Sequence, residues 1–469
     1  MKRLLLALLT VLPLMVAAKP AYRITLQVDG NQDSMMLLCF YYAHNERIAD
    51  TAYNDGKGGF VFEGNNELLP GLYFFTNNRN RYVEFVVYHE KPNFKFHTDE
   101  RAWTMNMRVK GSKQNEVFFN YQRASEALYR EIEDRKGELD SAALASFTVQ
   151  QHMRIDSLKM DIINRYPDAM ISKMMASTKE VDVPTVKADG TEMTGRERYD
   201  YAMNHYFDNM PLDDDFLVRT PKQVFYQRVM DYVEKYMRGW APSMICPKLD
   251  TLIDRAEPAK EVYKWLIYKL TDYYLQSNIM VYDEVYCHLV MRYFATGKAD
   301  WFEPSVIDEN VERATKWERL LVGREAPELI LFDTAHMAYS LHRMKGDYTL
   351  LIFWSPTCGH CREIIPAVYQ VFEEYRDSLN LTAFAILSEP DEHTVEKWKK
   401  FLTDHGMHDR KWVNLNGAEA NVDWREVYDI TTTPQIYLIE NKSHTFVAKK
   451  LNANIFREIC KSLTKQSAQ

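Results

Sequence analysis

The sequence predicts a multidomain chain: an all-β sandwich or barrel at the N-terminus, an all-α middle domain and a C-terminal α/β domain. Three observations predict it. Apolar and polar residues alternate from Tyr22 onward. Apolar residues recur at three and four positions from about Asn115. Short apolar strands alternate with helical stretches from about Gly323. A period of two is that of a half-buried strand and 3.6 that of a helix. Strands alternating with helices give an α/β layer fold. At 469 residues the chain is too long for one core, and roughly 100–200 residues per domain gives about three. The boundaries read as a signal peptide over 1–18, a β-rich domain over 19–111, a helical domain over 112–320 and the α/β domain over 321–469.

Hydrophobic residues make up 46% and charged residues 26%, a globular composition. The formal net charge is −8. No basic patch marks the chain for nucleic acid.

The N-terminus reads as a cleavable signal peptide. Lys2 and Arg3 give a positive start, the apolar run from Leu4 to Val16 has secretory length, and Val16-Ala17-Ala18 offers small residues for cleavage after Ala18. The run is too short for a transmembrane helix. No cysteine follows directly, so a lipoprotein anchor is not expected, and no later stretch would span a bilayer in the mature chain. The predicted location is the periplasm or otherwise exported.

In the first domain Tyr22, Ile24, Leu26 and Val28 alternate with polar residues, and Asp29-Gly30-Asn31 is a turn. Met35 to Tyr42 is a second strand, and a glycine-rich turn over 55–59 precedes Phe60 and Phe62. In the second domain Thr220-Pro221 predicts a helix start, with Phe225, Val229, Val233 and Tyr236 on one face and Gly239 at its end. Pro258 opens another helix, and 281–294 is a third. Residues 181–196 have few large apolar side chains and read as a loop. Asp213-Asp214-Asp215 lacks an EF-hand ligand pattern and reads as a solvated loop. In the third domain strands are predicted at 348–353, 381–387, 435–439 and 445–449. Helices are predicted from the cysteine pair to Tyr375, from Val395 to Gly406, and over 455–463.

Six cysteines in so long a chain do not make a disulfide scaffold, even in a compartment that permits disulfides. Cys39, Cys246, Cys287 and Cys460 are scattered in apolar surroundings and read as buried free thiols. Cys358 and Cys361 differ. In Leu351-Ile352-Phe353-Trp354-Ser355-Pro356-Thr357-Cys358-Gly359-His360-Cys361 a buried strand enters a turn and the cysteines open a helix. The thiolate is the reactive species in disulfide exchange. A helix N-terminus presents unpaired N–H groups and partial positive charge, which stabilise a thiolate on Cys358. Two intervening residues let Cys361 reach Cys358. Cys358 is then the nucleophile and Cys361 the resolving thiol. Gly359 and His360 are the redox-tuning positions, and an imidazole donor at His360 favours the thiolate and a more oxidising pair.

These residues resemble the thioredoxin superfamily, and more closely its exported TlpA/ResA-like branch, over roughly 323–463. Phe353-Trp354 precedes the Cys-x-x-Cys, Pro366 follows Cys361 by five residues, and Thr431-Thr432-Thr433-Pro434-Gln435-Ile436-Tyr437-Leu438-Ile439 is similar to the family's cis-proline turn and following strand. The resemblance implies a thiol–disulfide oxidoreductase: a protein-disulfide reductase, or an oxidase or isomerase. It implies a cis Pro434 beside the cysteines and a substrate groove of Thr433 and Pro434; Trp354 and Phe353 read as core and rim packing, with Trp354 taking a share in the groove. It also implies exported protein thiols or disulfides as partners, a membrane electron carrier to recycle the pair, and no cofactor. Two departures stand out. Ile352 replaces a buried aspartate of thioredoxin. Ile364 replaces a glutamate of the TlpA-like branch, which leaves Glu363 or water as proton acceptor for Cys361. The β-rich start and helical middle resemble Bacteroidetes thioredoxin-like proteins whose upstream domains are of unknown function.

Other readings fare worse. Zinc would need a second ligand pair, and His405 and His408 lie far along the chain. A peroxiredoxin would carry threonine where Ser355 stands. A structural disulfide with a two-residue spacer closes too small a loop to stabilise much. The competing class is a non-catalytic binding module that uses this fold as a docking platform.

Overall fold

The structure is a computed structural model and describes residues 20–77, 81–333 and 335–467. The signal peptide read at 1–18 lies outside the described residues. The chain divides into two compact units, one running to Arg238 and including Asp254–Tyr263, the other Gly239–Ile253 with the chain from Lys264 onward. The architecture is an N-terminal β-sheet domain, a helical middle region and a C-terminal α/β domain.

In the first unit the strands are β1 (Tyr22–Asp29), β2 (Met35–Tyr42), β3 (Asn45–Tyr53), β4 (Gly59–Gly64), β5 (Gly71–Thr76), β6 (Tyr82–Val87), β7 (Lys95–Asp99) and β8 (Arg108–Lys110). They form two four-stranded sheets ordered β4-β1-β7-β8 and β3-β2-β5-β6. The arrangement is a sandwich, not a closed barrel. The alternation of β1 puts Ile24, Leu26 and Val28 inside. There Phe75 of one sheet meets Phe62 and Phe96 of the other at ring distances of 5.4 and 5.5 Å. Within the first sheet β1 and β7 run parallel. The chain between them crosses to the other sheet and back, as a parallel pair requires.

The helices of this unit are α1 (Lys113–Arg135), α2 (Ser141–Arg165), α3 (Met170–Ser177), α4 (Gly195–His205) and α5 (Tyr226–Asp231). Ser112 caps α1 by accepting from the Asn115 N–H. Asn115 is fully buried, and its amide answers both backbone groups of Val86 at 2.7 Å. The helix predicted to start at Thr220-Pro221 begins later, at Tyr226. Thr220 instead donates to the Leu217 carbonyl at 2.6 Å and closes the 3₁₀ turn Asp215–Arg219. A local capping pattern was overridden by the preceding turn.

Two further helices, α6 (Pro242–Arg255) and α7 (Lys260–Leu275), place residues in both units. The second unit continues with α8 (Tyr282–Leu289) and α9 (Pro304–Arg319). Then come β9 (Ile330–Phe332), β10 (Ala338–Ser340), β11 (Tyr348–Trp354), α10 (Gly359–Tyr375), β12 (Leu381–Leu387) and α11 (Glu392–Asp404). The chain closes with β13 (Trp412–Ala420), α12 (Trp424–Val427), β14 (Gln435–Glu440), β15 (Thr445–Ala448) and α13 (Ala453–Ser467). The seven-stranded sheet is ordered β10-β9-β13-β12-β11-β14-β15. β11 pairs parallel with β12 and antiparallel with β14. Central strands covered on both faces read as continuous apolar runs, and β11 and β12 do so for this reason. Leu350, Ile352 and Trp354 enter the core on one face of β11, and Leu351 and Phe353 the core on the other. The buried thiols read at Cys39, Cys246, Cys287 and Cys460 are buried and unpaired. Among the described residues no helix is long and apolar enough to cross a membrane.

Candidate functional site

The site lies where β11 ends. Ser388, next after β12, donates its N–H to the Trp354 carbonyl at 2.8 Å, so the two parallel strands finish together. The chain then turns through Ser355-Pro356-Thr357, and Cys358 takes the N-cap position of α10 with extended backbone (φ −75, ψ 123). Cys361 sits one turn in and is fully buried. The Thr433–Pro434 peptide is cis. It brings the Thr433 carbonyl to 3.3 Å from the Cys358 Sγ, which donates to it as a thiol.

The surroundings divide the two sulfurs. Burial raises the pKa of Cys358, but donors outweigh burial: the backbone N–H of Cys361, the side chain of Thr433, the Cys361 thiol and the backbone N–H of His360. The net value lies below the ordinary thiol. Burial pushes Cys361 up to about 12. Burial likewise pushes Cys39 up to about 11 and Cys246, Cys287 and Cys460 to about 12. Of the six cysteines, all among the described residues, Cys358 alone is shifted down. A half-exposed thiol held toward its anion beside a buried, protonated partner can attack a disulfide and then be released by that partner.

The other predicted residues fall in different places. Thr433 and Pro434 are half-buried beside Cys358. Gly359 is exposed, and a Cβ there would meet nothing within 4 Å. His360 is exposed, and its backbone N–H is the group that reaches Cys358. Glu363 is exposed on α10. Trp354 corrects the expected groove: it is fully buried, packed 5.2 Å from the Phe401 ring, and offers no face to a substrate. Its place on the two-sided central strand decides this. Ile352 and Ile364 belong to the core side, Ile352 fully buried and Ile364 packed against it.

Sequence reasoning missed one acidic residue. Glu389 follows β12, and its Oε2 accepts from Ser355 Oγ at 2.9 Å and Thr357 Oγ1 at 2.8 Å. It thereby pins the turn whose Ser355 carbonyl accepts the Cys358 N–H at 3.2 Å. No local signal marks it: Glu389 reaches the turn because β12 runs parallel to β11 and the two strands end together. Among the described residues no three His, Cys, Asp or Glu side chains gather as a metal centre needs.

Residues 322–441 match the AhpC/TSA family. The C-terminal domain is thioredoxin-like. Upstream of the thioredoxin-like domain, residues 22–118 match a domain of unknown function, DUF4369, and 155–316 another, DUF5106. Over 120 residues, 26% of this chain, the sequence is 28% identical to the thioredoxin-like protein YneN of Bacillus subtilis (strain 168), covering 66% of that protein. Over 90 residues, 19% of this chain, it is 23% identical to the thiol-disulfide oxidoreductase ResA of Bacillus thuringiensis (strain Al Hakam), covering 50% of it. The chain thus spans about half to two thirds of the length of these relatives. Among solved structures, a thioredoxin-like protein from Bacteroides caccae is 19% identical, covers 61% of this chain and 99% of its own, and superimposes with a TM-score of 0.48. The thioredoxin domain of a thiol-disulfide oxidoreductase from Bacteroides vulgatus is 25% identical, covers 30% of this chain and 97% of its own, with a TM-score of 0.27.

Proposed function

We propose that this protein is a thiol–disulfide oxidoreductase acting on exported proteins through Cys358-Gly359-His360-Cys361. The observation that carries the reading is the Cys358 thiol at the start of α10, shifted toward its anion beside a buried Cys361. Cys358 attacks a substrate disulfide and forms a mixed disulfide while one substrate thiolate leaves. Cys361 then displaces the second substrate sulfur and closes the Cys358–Cys361 disulfide. Two electrons pass from the dithiol to the substrate. The Cys361 proton passes to water or to Glu363, which is exposed on α10. Thr433 and Pro434 shape the groove, and His360 tunes the potential. A membrane electron carrier recycles the pair, no cofactor takes part, and a cleaved signal peptide delivers the protein to the periplasm. The division at 19–111, 112–320 and 321–469 belongs to the same proposal.

The discriminating experiment is insulin reduction with dithiothreitol, comparing the protein with Cys358→Ser. Reductase activity requires the protein to outpace the variant. Equal rates would leave the thioredoxin-like domain as a docking platform.

A further inference from the structure

The helical segment ahead of the thioredoxin-like domain is fastened at the cysteine end of the sheet. Strand β15 runs antiparallel to β14, with Ala448 opposite Leu438, so the chain after β15 returns to where β14 begins. There the Leu451 N–H donates to the Ile436 carbonyl at 3.3 Å, two residues past Pro434. Lys450, beside it, reaches the Ser277 carbonyl at 2.7 Å and Asp283 Oδ1 at 2.6 Å. Lys449 takes Asp283 Oδ2 at 2.7 Å and the Leu320 carbonyl at 3.1 Å. The Asp283 side chain is 1% exposed, so this is a buried clamp between α8 and the end of β15. A second tie holds the approach to the proline turn. Trp317 of α9 donates its indole N–H to Asp429 at 2.6 Å, four residues before Thr433.

In the loop between α7 and α8, Ser277 is thereby tied to Lys450, the neighbour of the Leu451 that bonds Ile436. Met280 packs against the core that holds Cys361 and Ile436. Ile279 and Met280 are half-buried, and Asn278 is exposed.

We propose that this loop is a wall of the substrate groove and that Ile279 and Met280 select polypeptide disulfides whose cysteine is flanked by an apolar side chain. The proposal rests on the thiol–disulfide reading above. The exchange itself is the one already written, thiolate in and thiolate out, with the wall acting on the encounter. A substrate segment lying along Thr433 meets the exposed remainder of these two side chains. Covering apolar surface there favours an apolar flank over a polar one.

The test uses the reduced full chain and disulfide-linked dimers of short capped peptides carrying either leucine or serine beside the cysteine. The expected result is a rate about fivefold higher for the leucine peptide, the size set by partial burial of one side chain. The double substitution Ile279→Gln with Met280→Gln brings that ratio toward one, and Met280→Leu keeps it. The ratio cancels any common change in thiol reactivity, and thermal unfolding checks that each variant folds. An equal leucine-to-serine ratio in the protein and the double variant overturns the proposal. If neither peptide reacts faster with the protein than with Cys358→Ser, the redox reading falls instead, and the wall with it.

Discussion

The Sγ of Cys358 lies 3.3 Å from the carbonyl oxygen of Thr433, a residue 75 positions away in the chain. The Thr433 carbonyl accepts from the Cys358 thiol, while the backbone N–H groups of Cys361 and His360 at the start of α10 reach the same sulfur and favour its anion.

Alkylation should separate them. Free cysteine titrates near 8.5, and the donors around Cys358 hold its thiol below the ordinary value. Cys361 stays protonated toward about 12. Mass-resolved reaction with iodoacetamide across pH should show Cys358 modified with a midpoint below that of a free cysteine peptide measured alongside, and Cys361 untouched over the same range. Equal labelling of both sulfurs would contradict the geometry.

Removing the resolving thiol should trap partners. Cys361→Ser leaves Cys358 half-exposed and able to attack, with nothing to displace the captured sulfur. Non-reducing gels of the exported fraction should show adducts that vanish with dithiothreitol and with the further change Cys358→Ser. Mass spectrometry then names the partners.

Glu389 is a positioning residue for the turn ahead of Cys358. Glu389→Ala removes the acceptor shared by Ser355 and Thr357 and should slow exchange by about tenfold or less, the scale of a small misplacement of the nucleophile. Glu389→Gln keeps an oxygen acceptor and should recover most of the rate. The KM against kcat split checks this. Equal losses for Gln and Ala would assign the effect to charge.

The exposed His360 gives a redox test. His360→Ala should lower the reduction potential by about 10–30 mV, up to about 1.4 kcal/mol for a two-electron couple. Titration against glutathione reads it, and an unchanged potential would confine the contribution of His360 to its backbone N–H.

The clamp at Asp283 should matter for stability. Asp283→Ala leaves Lys449 and Lys450 without their carboxylate. Lys449 is 6% and Lys450 23% exposed, and breaking a buried pair from one side costs about 3–5 kcal/mol. Urea unfolding followed by tryptophan fluorescence measures it. The exposed pair Arg130–Glu126 is a control: Glu126→Ala should cost under about 1 kcal/mol.

Much of the site was legible one residue at a time. The apolar run of β11, the turn, the spacing of Cys358 and Cys361 and the Thr433-Pro434 pair all showed in order along the chain. Others were not. Trp354 stands next to the motif and read as packing with a share in the groove; the sheet leaves it only the packing, because β11 is covered on both faces. Glu389 lies 31 residues beyond Cys358 in the sequence, and only the pairing of β11 with β12 brings it to the turn. The start of α5 slipped from Thr220 to Tyr226 because a 3₁₀ turn claimed the Thr220 hydroxyl.

By itself the sequence determined the order of a β-rich, a helical and an α/β part, many of their strands and helices, and which two cysteines share a helix start. Those are short-range matters, governed by side-chain period, capping and backbone sterics over a few residues. The tertiary structure alone decided that Thr433 faces Cys358, that Glu389 holds the turn, and that Asp283 meets lysines about 167 residues away. Such contacts depend on how whole strands and helices pack, and local sequence carries no distance between groups so far apart in the chain.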